Sequence, residues 1–134
     1  MRDDFDYTPS RRLFLAAADA IGGPLLVSPR VVRGTDAGSR LTRGFIGCGG
    51  RGTWMADLFK KHGGYEVRAA ADYFQDKVDA FGDKLEVPAD RRFTGLDSYR
   101  QVLDSDVDAV VIESPPYFHP AQARDAVEAG KHVY

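Results

Sequence analysis

Cysteine and histidine are scarce, with one Cys and three His in 134 residues. A single cysteine excludes a disulfide within the chain, and three scattered histidines beside it give no ligand spacing for a metal ion. No apolar run has the length of a membrane span, and Cys48 does not stand where a lipid would be attached behind an export signal, so no stable membrane anchor is expected. Charge of one sign is lacking as well. Residues 1–40 carry six basic and five acidic side chains, residues 41–134 carry twelve and fifteen, and the formal net charge is −2. The larger part is mildly acidic with no basic patch, which argues against nucleic acid as a partner. What is present, 43% hydrophobic and 28% charged residues, suits one globular domain with a tail.

The domain opens on a strand, a glycine turn and a helix in direct succession. Arg43-Gly44-Phe45-Ile46 runs into Gly47-Cys48-Gly49-Gly50-Arg51-Gly52, and Thr53 to Phe59 continues as an amphipathic helix. In such a turn the first glycine permits the tight bend, the second lets the backbone approach a pyrophosphate, and the third lets helix and strand pack closely. Phosphates would sit on the unpaired N–H groups at the helix start, with Arg51 adding a charge. A second strand over residues 66–71 ends at Asp72, twenty residues after Gly52. An acid there accepts hydrogen bonds from the adenosine ribose hydroxyls and repels a 2′-phosphate, so NAD is favoured over NADP. S-adenosylmethionine methyltransferases also combine a glycine loop with a downstream acid. They usually carry an acid just before the first glycine, where this chain has Phe45-Ile46. Cys48 reads as a small buried residue rather than a reactive thiol.

Residues 75–85 predict a short solvated helix with Val78 and Phe81 inward, closed by Pro88. A brief strand over 91–94 follows, with Arg91 and Arg92 as solvated ends. A helix capped by Asp97 or Ser98 then turns Tyr99, Val102 and Leu103 to the core. Val107 and the run Ala109 to Ile112 suit a parallel strand buried on both faces, ended by prolines. Ligands of an open α/β sheet gather beyond the carboxyl ends of its strands. Ser114, Pro115, Pro116 and His119 would therefore share an edge with the glycine turn and Asp72. For His119 a site role stands beside capping of the next helix, which runs from Pro120 to a Gly130 cap and leads into a strand over 131–134. Trp54 is assigned to helix packing and His62 to a polar helix end, and neither Lys131 nor His132 is assigned catalysis. The elements imply an α/β fold, a Rossmann-like doubly wound parallel sheet.

Together the Gly-x-Gly-Gly-Arg-Gly turn, Asp72, Asp-Val-Asp-Ala-Val-Val-Ile over 106–112, Ser114-Pro115 with His119, and Ala-Gly-Lys-His-Val-Tyr over 129–134 resemble the Gfo/Idh/MocA oxidoreductases. The resemblance covers residues 41–134. It implies a Rossmann domain binding NAD or NADP, followed in such proteins by a second α/β domain that shapes a sugar or polyol site. Gly47, Gly49, Gly50, Arg51 and Gly52 would cradle the pyrophosphate, Asp72 would hold the ribose, and Ser114, Pro115 and His119 would line the nicotinamide side. Glu113, where the family often has a small residue, and Pro116, where it commonly has Asp or Asn, depart from the pattern. The family's catalytic lysine motif would lie past Tyr134, so no catalytic residue is assigned in this chain, which reads as truncated before the second domain. A homo-oligomer is among the states open to the complete protein. Within the family an NAD-dependent glycosidase, which oxidises a sugar hydroxyl transiently, stands beside a net dehydrogenase. A non-catalytic dinucleotide-binding module or gene remnant is the reading from another class.

Residues 1–40 resemble a twin-arginine export signal: Ser10-Arg11-Arg12-Leu13-Phe14-Leu15 precedes a moderately apolar segment. Such a segment would be disordered or removed, and the protein would be periplasmic or otherwise exported by that route, or cytoplasmic if the signal is not functional. Asp19 and Pro24 interrupt the apolar stretch, and a basic arm or short amphipathic helix is the other reading.

Overall fold

The computed structural model describes residues 40–134, and the expectations about an export signal concern residues outside that range. In chain order the elements are β1 (Leu41–Ile46), α1 (Gly50–His62), β2 (Tyr65–Asp72), α2 (Gln75–Leu85), β3 (Arg92–Thr94), α3 (Ser98–Leu103), β4 (Ala109–Ile112), α4 (His119–Glu128) and β5 (His132–Val133). All strand pairs are parallel, in the order β3-β2-β1-β4-β5. The expected Rossmann-like sheet is therefore present. The chain winds outward from β1 to β3, then crosses back to place β4 on the other side of β1, which makes the β1/β4 boundary the switch point of the fold.

The two-residue period of a strand explains why three apolar runs can serve two cores. Phe45 of β1, Ala70 of β2 and Val111 of β4 face one layer with Met55, Ala56, Val78 and Phe81. Their neighbours Ile46, Ala69, Ala71, Val110 and Ile112 face the other, with Tyr99, Val102, Leu103 and Ala126. Alanines in the middle of β2 let helices approach both faces closely. Full burial of side chains such as Phe45, Phe81 or Val110 stabilises by about 1.5–3 kcal/mol each.

Polar ties fix the register at the strand starts. Asp108 Oδ2 accepts from the Thr42 N–H at 2.8 Å and from Thr42 Oγ1 at 2.7 Å, holding β4 against β1. Lys131 donates through Nζ to the carbonyls of Val107 at 2.9 Å and Ser105 at 3.2 Å. On the far layer Tyr99 donates its hydroxyl to Asp125 at 2.7 Å, joining α3 to α4. Burial, with this hydrogen bond, pushes the Tyr99 phenol above its ordinary pKa.

Several local expectations need correction. Trp54 is 54% exposed because the inward stripe of α1 is Gly52, Met55, Ala56 and, partly, Phe59, which leaves Trp54 on the outer face. Arg92 is no solvated end: its side chain is 14% exposed, lies against Gly82, and donates to the Val87 carbonyl at 2.9 Å and to Asp83 at 2.7 Å. Neither Asp97 nor Ser98 caps α3 through its side chain, and Ser98 Oγ donates instead to the Gly95 carbonyl at 2.6 Å. At the end of α1 the cap is Gly63 in the left-handed region, its N–H on the Phe59 carbonyl; His62 stacks on Tyr65 with ring centroids 5.1 Å apart. Helix α4, by contrast, ends on Gly130 as expected, in the left-handed region at φ +72, with the Gly130 N–H on the Val127 carbonyl at 2.9 Å and the Lys131 N–H on the Ala126 carbonyl at 3.0 Å.

Candidate cofactor site

The turn between β1 and α1 is held by contacts that demand glycine at two of its positions. Gly47 has φ +100, and a Cβ there would meet the Glu113 carbonyl oxygen at 2.6 Å. At Gly52 a Cβ would overlap the Gly47 carbonyl oxygen, so this glycine lets α1 press onto its own turn. A Cβ on Gly49 or Gly50 would meet nothing within 4 Å. The protein's own packing does not require these two glycines, and the open space beside them is where a ligand would approach.

That space faces the start of α1. Gly49 is the N-cap and supplies no side chain, no acid stands in the first turn, and the helical ladder begins with Thr53 N–H on the Gly49 carbonyl at 2.9 Å. The N–H groups of residues 50–52 precede that bond and are available to an anion. Arg51 does not point its charge into an empty cradle. Its Nε donates to Glu113 Oε2 at 2.7 Å, with the Arg51 side chain 74% exposed and that of Glu113 only 7%. The acid is fixed and the arginine is the movable partner.

Asp72 stands at the carboxyl end of β2, as the sequence spacing requires. Its Oδ2 accepts from the Cys48 N–H at 2.7 Å and its Oδ1 from the Phe74 N–H at 3.0 Å. Both oxygens are thus oriented by backbone, and each keeps a lone pair for a ribose hydroxyl. Cys48 is 3% exposed and its thiol lies 3.4 Å from the Ala71 carbonyl oxygen. Burial, reinforced by the nearby Asp72 charge, pushes the thiol well above its ordinary pKa, in keeping with a buried, unreactive role.

A cavity of about 510 Å³ runs along the carboxyl edge from Gly47 and Gly49 past Asp72 to Glu113, Ser114 and Pro115. Phe74, Leu96 and Phe118 supply apolar walls and Lys77 a cation at the Asp72 end. Sequence reasoning missed these four. Phe74 and Leu96 are 57% and 64% exposed, and an apolar residue in a loop carries no periodic signal. Ser114 donates through Oγ to Gln122 at 2.6 Å, another wall residue not foreseen. His119 is not on the cavity wall; as the first residue of α4 it places Nε2 2.6 Å from the Ser114 carbonyl. That contact requires the proton on Nε2. It braces the turn that carries Ser114 and Pro115, so the structure favours a supporting role for His119 over direct lining. No group of His, Cys, Asp and Glu able to hold a metal occurs among the described residues.

A profile described as "Oxidoreductase family, NAD-binding Rossmann fold" matches residues 41–134. The chain belongs to the Gfo/Idh/MocA family. The part that matches is the family's NAD-binding Rossmann domain. An alpha-N-acetylgalactosaminidase of Shewanella oneidensis is 38% identical over 96 residues, 68% of this chain and 21% of that protein. Among solved structures, the WlbA dehydrogenase of Bordetella pertussis in complex with NADH and UDP-GlcNAcA has a TM-score of 0.62 at 26% identity, covering 70% of this chain and 27% of that one. Apo scyllo-inositol dehydrogenase from Lactobacillus casei gives 0.61 at 27%, covering 71% and 27%. The chain thus spans about a fifth of the length of the curated relatives it matches.

The described residues fit the family's dinucleotide. The uncapped start of α1 suits a pyrophosphate, the oriented carboxylate of Asp72 suits a ribose diol, and the apolar walls suit flat bases. Glu113 is the local feature foreign to that pattern, a nearly buried acid beside the glycine turn with Arg51 as its counter-ion.

Proposed function

We propose that this Gfo/Idh/MocA domain binds NAD in preference to NADP and serves an enzyme that moves hydride between the nicotinamide and the hydroxyl-bearing carbon of a sugar or polyol. The observation that carries the reading is Asp72, fixed by two backbone hydrogen bonds on the same edge as the open N-terminus of α1. A carboxylate in that position accepts from both ribose hydroxyls, whereas a 2′-phosphate would bring like charge against it. The cofactor, when bound, supplies the hydride chemistry. The chain's part is to hold the pyrophosphate on residues 49–52, to orient the ribose with Asp72, and to set the floor near the nicotinamide with Ser114 and Pro115.

Equilibrium titration tests the cofactor choice. NAD is expected to bind at least about tenfold more tightly than NADP, a difference of about 1.4 kcal/mol. NADP binding as tightly as NAD would overturn the Asp72 argument, and stabilisation by S-adenosylmethionine alone would overturn the domain's cofactor class.

A second reading is favoured by the curated relative at 38% identity, an alpha-N-acetylgalactosaminidase: transient oxidation of a sugar hydroxyl, elimination of the glycosidic group, addition of water to the resulting double bond, and return of the hydride to the ketone. The two readings part on net turnover. In an enzyme containing this domain, NADH accumulates with a sugar alcohol substrate if it is a dehydrogenase, while an aryl glycoside is cleaved without net NADH if it is a glycosidase. We also propose that Arg11-Arg12 and the segment behind them form a twin-arginine signal that sends the protein to the periplasm. Replacing both arginines by lysine should leave a fused reporter in the cytoplasm, and undiminished export would refute the assignment.

A further inference from the structure

The opposite, amino-terminal edge of the sheet holds an arginine that the fold does not satisfy. Arg43 lies on the same face of β1 as the core residue Phe45, and its guanidinium is stacked between the rings of Phe59 and Tyr65, 3.6 Å from each centroid. Its Nε and Nη1 are buried without a hydrogen-bond partner, the only such side-chain nitrogen or oxygen atoms among the described residues. Burial holds its pKa below the ordinary arginine value while Tyr65 pulls the other way, and a guanidinium keeps its charge regardless. A half-buried cation whose Nε and Nη1 are shut away from acceptors is costly unless something supplies them.

Beside it is a second cavity, about 420 Å³, whose walls include Arg40, Arg43, Lys60, Arg68 and Arg91. Glu66 and Glu86 are its acids, and Glu66 is engaged by Arg68 at 3.3 Å. Lys60 has a ready account as a last-turn cation answering the dipole of α1. Arg91 closes the short 3-10 turn Ala89–Arg91, and Arg40 and Arg43 lie outside any helix and have no such account. Phe59, Val67, Leu85 and Pro88 give the same cavity an apolar wall.

We propose that this cavity is an anion site, separate from the cofactor edge, that takes a phosphate group carried on a small organic body. The phosphate oxygens would supply the acceptors that Nε and Nη1 of Arg43 lack, with Lys60 and Arg91 sharing the charge. The aromatic and aliphatic wall would take the body. Free inorganic phosphate has the same charged group and should bind more weakly, since it leaves that wall uncovered.

The test follows the Arg43 side-chain Nε–H signal by ¹H–¹⁵N NMR in the full chain saturated with NAD, titrated with phenyl phosphate and, separately, inorganic phosphate. Saturable shifts are expected with both, tighter for phenyl phosphate. The variants Lys60→Ala and Arg91→Ala should each weaken binding about tenfold, the loss of one charge-assisted contact. Arg43→Gln should abolish it, and because that variant removes a core-facing residue, the two surface variants decide if it does not fold. Equal affinity for the two probes would show a site for the free ion and overturn the organic-phosphate assignment. Shifts that do not saturate, that survive Lys60→Ala and Arg91→Ala unchanged, or that vanish when NAD is raised would overturn the site itself.

Discussion

Gly49 and Gly52 are three residues apart and answer to different constraints. A side chain on Gly52 would strike the Gly47 carbonyl, and one on Gly49 would meet nothing in the protein. Gly52→Ala should therefore destabilise the fold by about 1–3 kcal/mol, as overpacking against backbone does. Gly49→Ala should stay within about 1 kcal/mol of the parent, the difference between glycine and alanine at an N-cap, yet lose NAD affinity. Urea denaturation and NAD titration of both variants check this, and equal stability of the two would contradict the packing argument. Cys48 lends itself to a second check. Buried, with its pKa raised, it should resist a thiol reagent at about pH 8, near the free-thiol pKa, and react once urea unfolds the chain. Rapid labelling of the native protein would mean that the turn opens.

The pairing of β1 with β4 depends on Thr42 and Asp108, and its stability should follow pH in a defined direction. The Asp108 carboxyl is held below its ordinary value, first by the Thr42 N–H and then by the Thr42 hydroxyl. A depressed native pKa contributes stability that is fully present above the unfolded value, about 3.9, and is lost as pH falls through the native one. Parent and Asp108→Asn should therefore differ in urea midpoint at neutral pH and converge as pH drops below about 4. A gap that persists or widens in acid would reject the linkage. Much of this architecture was legible in the sequence, because strands buried on both faces read as apolar runs and α2 shows its inward Val78 and Phe81 directly. The glycine turn and Asp72 were legible because a backbone task allows few residue types. What escaped were contacts made by loops or across elements: Phe74 and Leu96 on the cavity wall, Arg92 folded over Gly82, His119 bracing Ser114, and Arg43 between two rings. Spacing along the chain carries no record of those meetings.

At the scale of the molecule, the sheet separates two cavities by its own direction, with the cofactor edge at the strands' carboxyl ends and the arginine-lined cavity near their amino ends. The cofactor cavity touches the turn before α1, the end of β2, the loop before α3 and the turn after β4, and so draws on both helical layers. A dinucleotide lying there would bridge the layers, and a ligand bound only to the native state stabilises by about 2.7 kcal/mol at one hundred times its Kd. Local opening should be suppressed where the ligand makes contact and much less elsewhere. Hydrogen exchange with and without saturating NAD should therefore slow in residues 47–53, 72–77, 95–98 and 113–118. It should change little in residues 63–66, 86–90 and 104–108, at the other end of the sheet. Uniform slowing across both sets would mean that the domain opens only as a whole. Slowing confined to the second set would place the dinucleotide at the wrong edge and remove the physical basis for assigning Asp72 and the glycine turn to it.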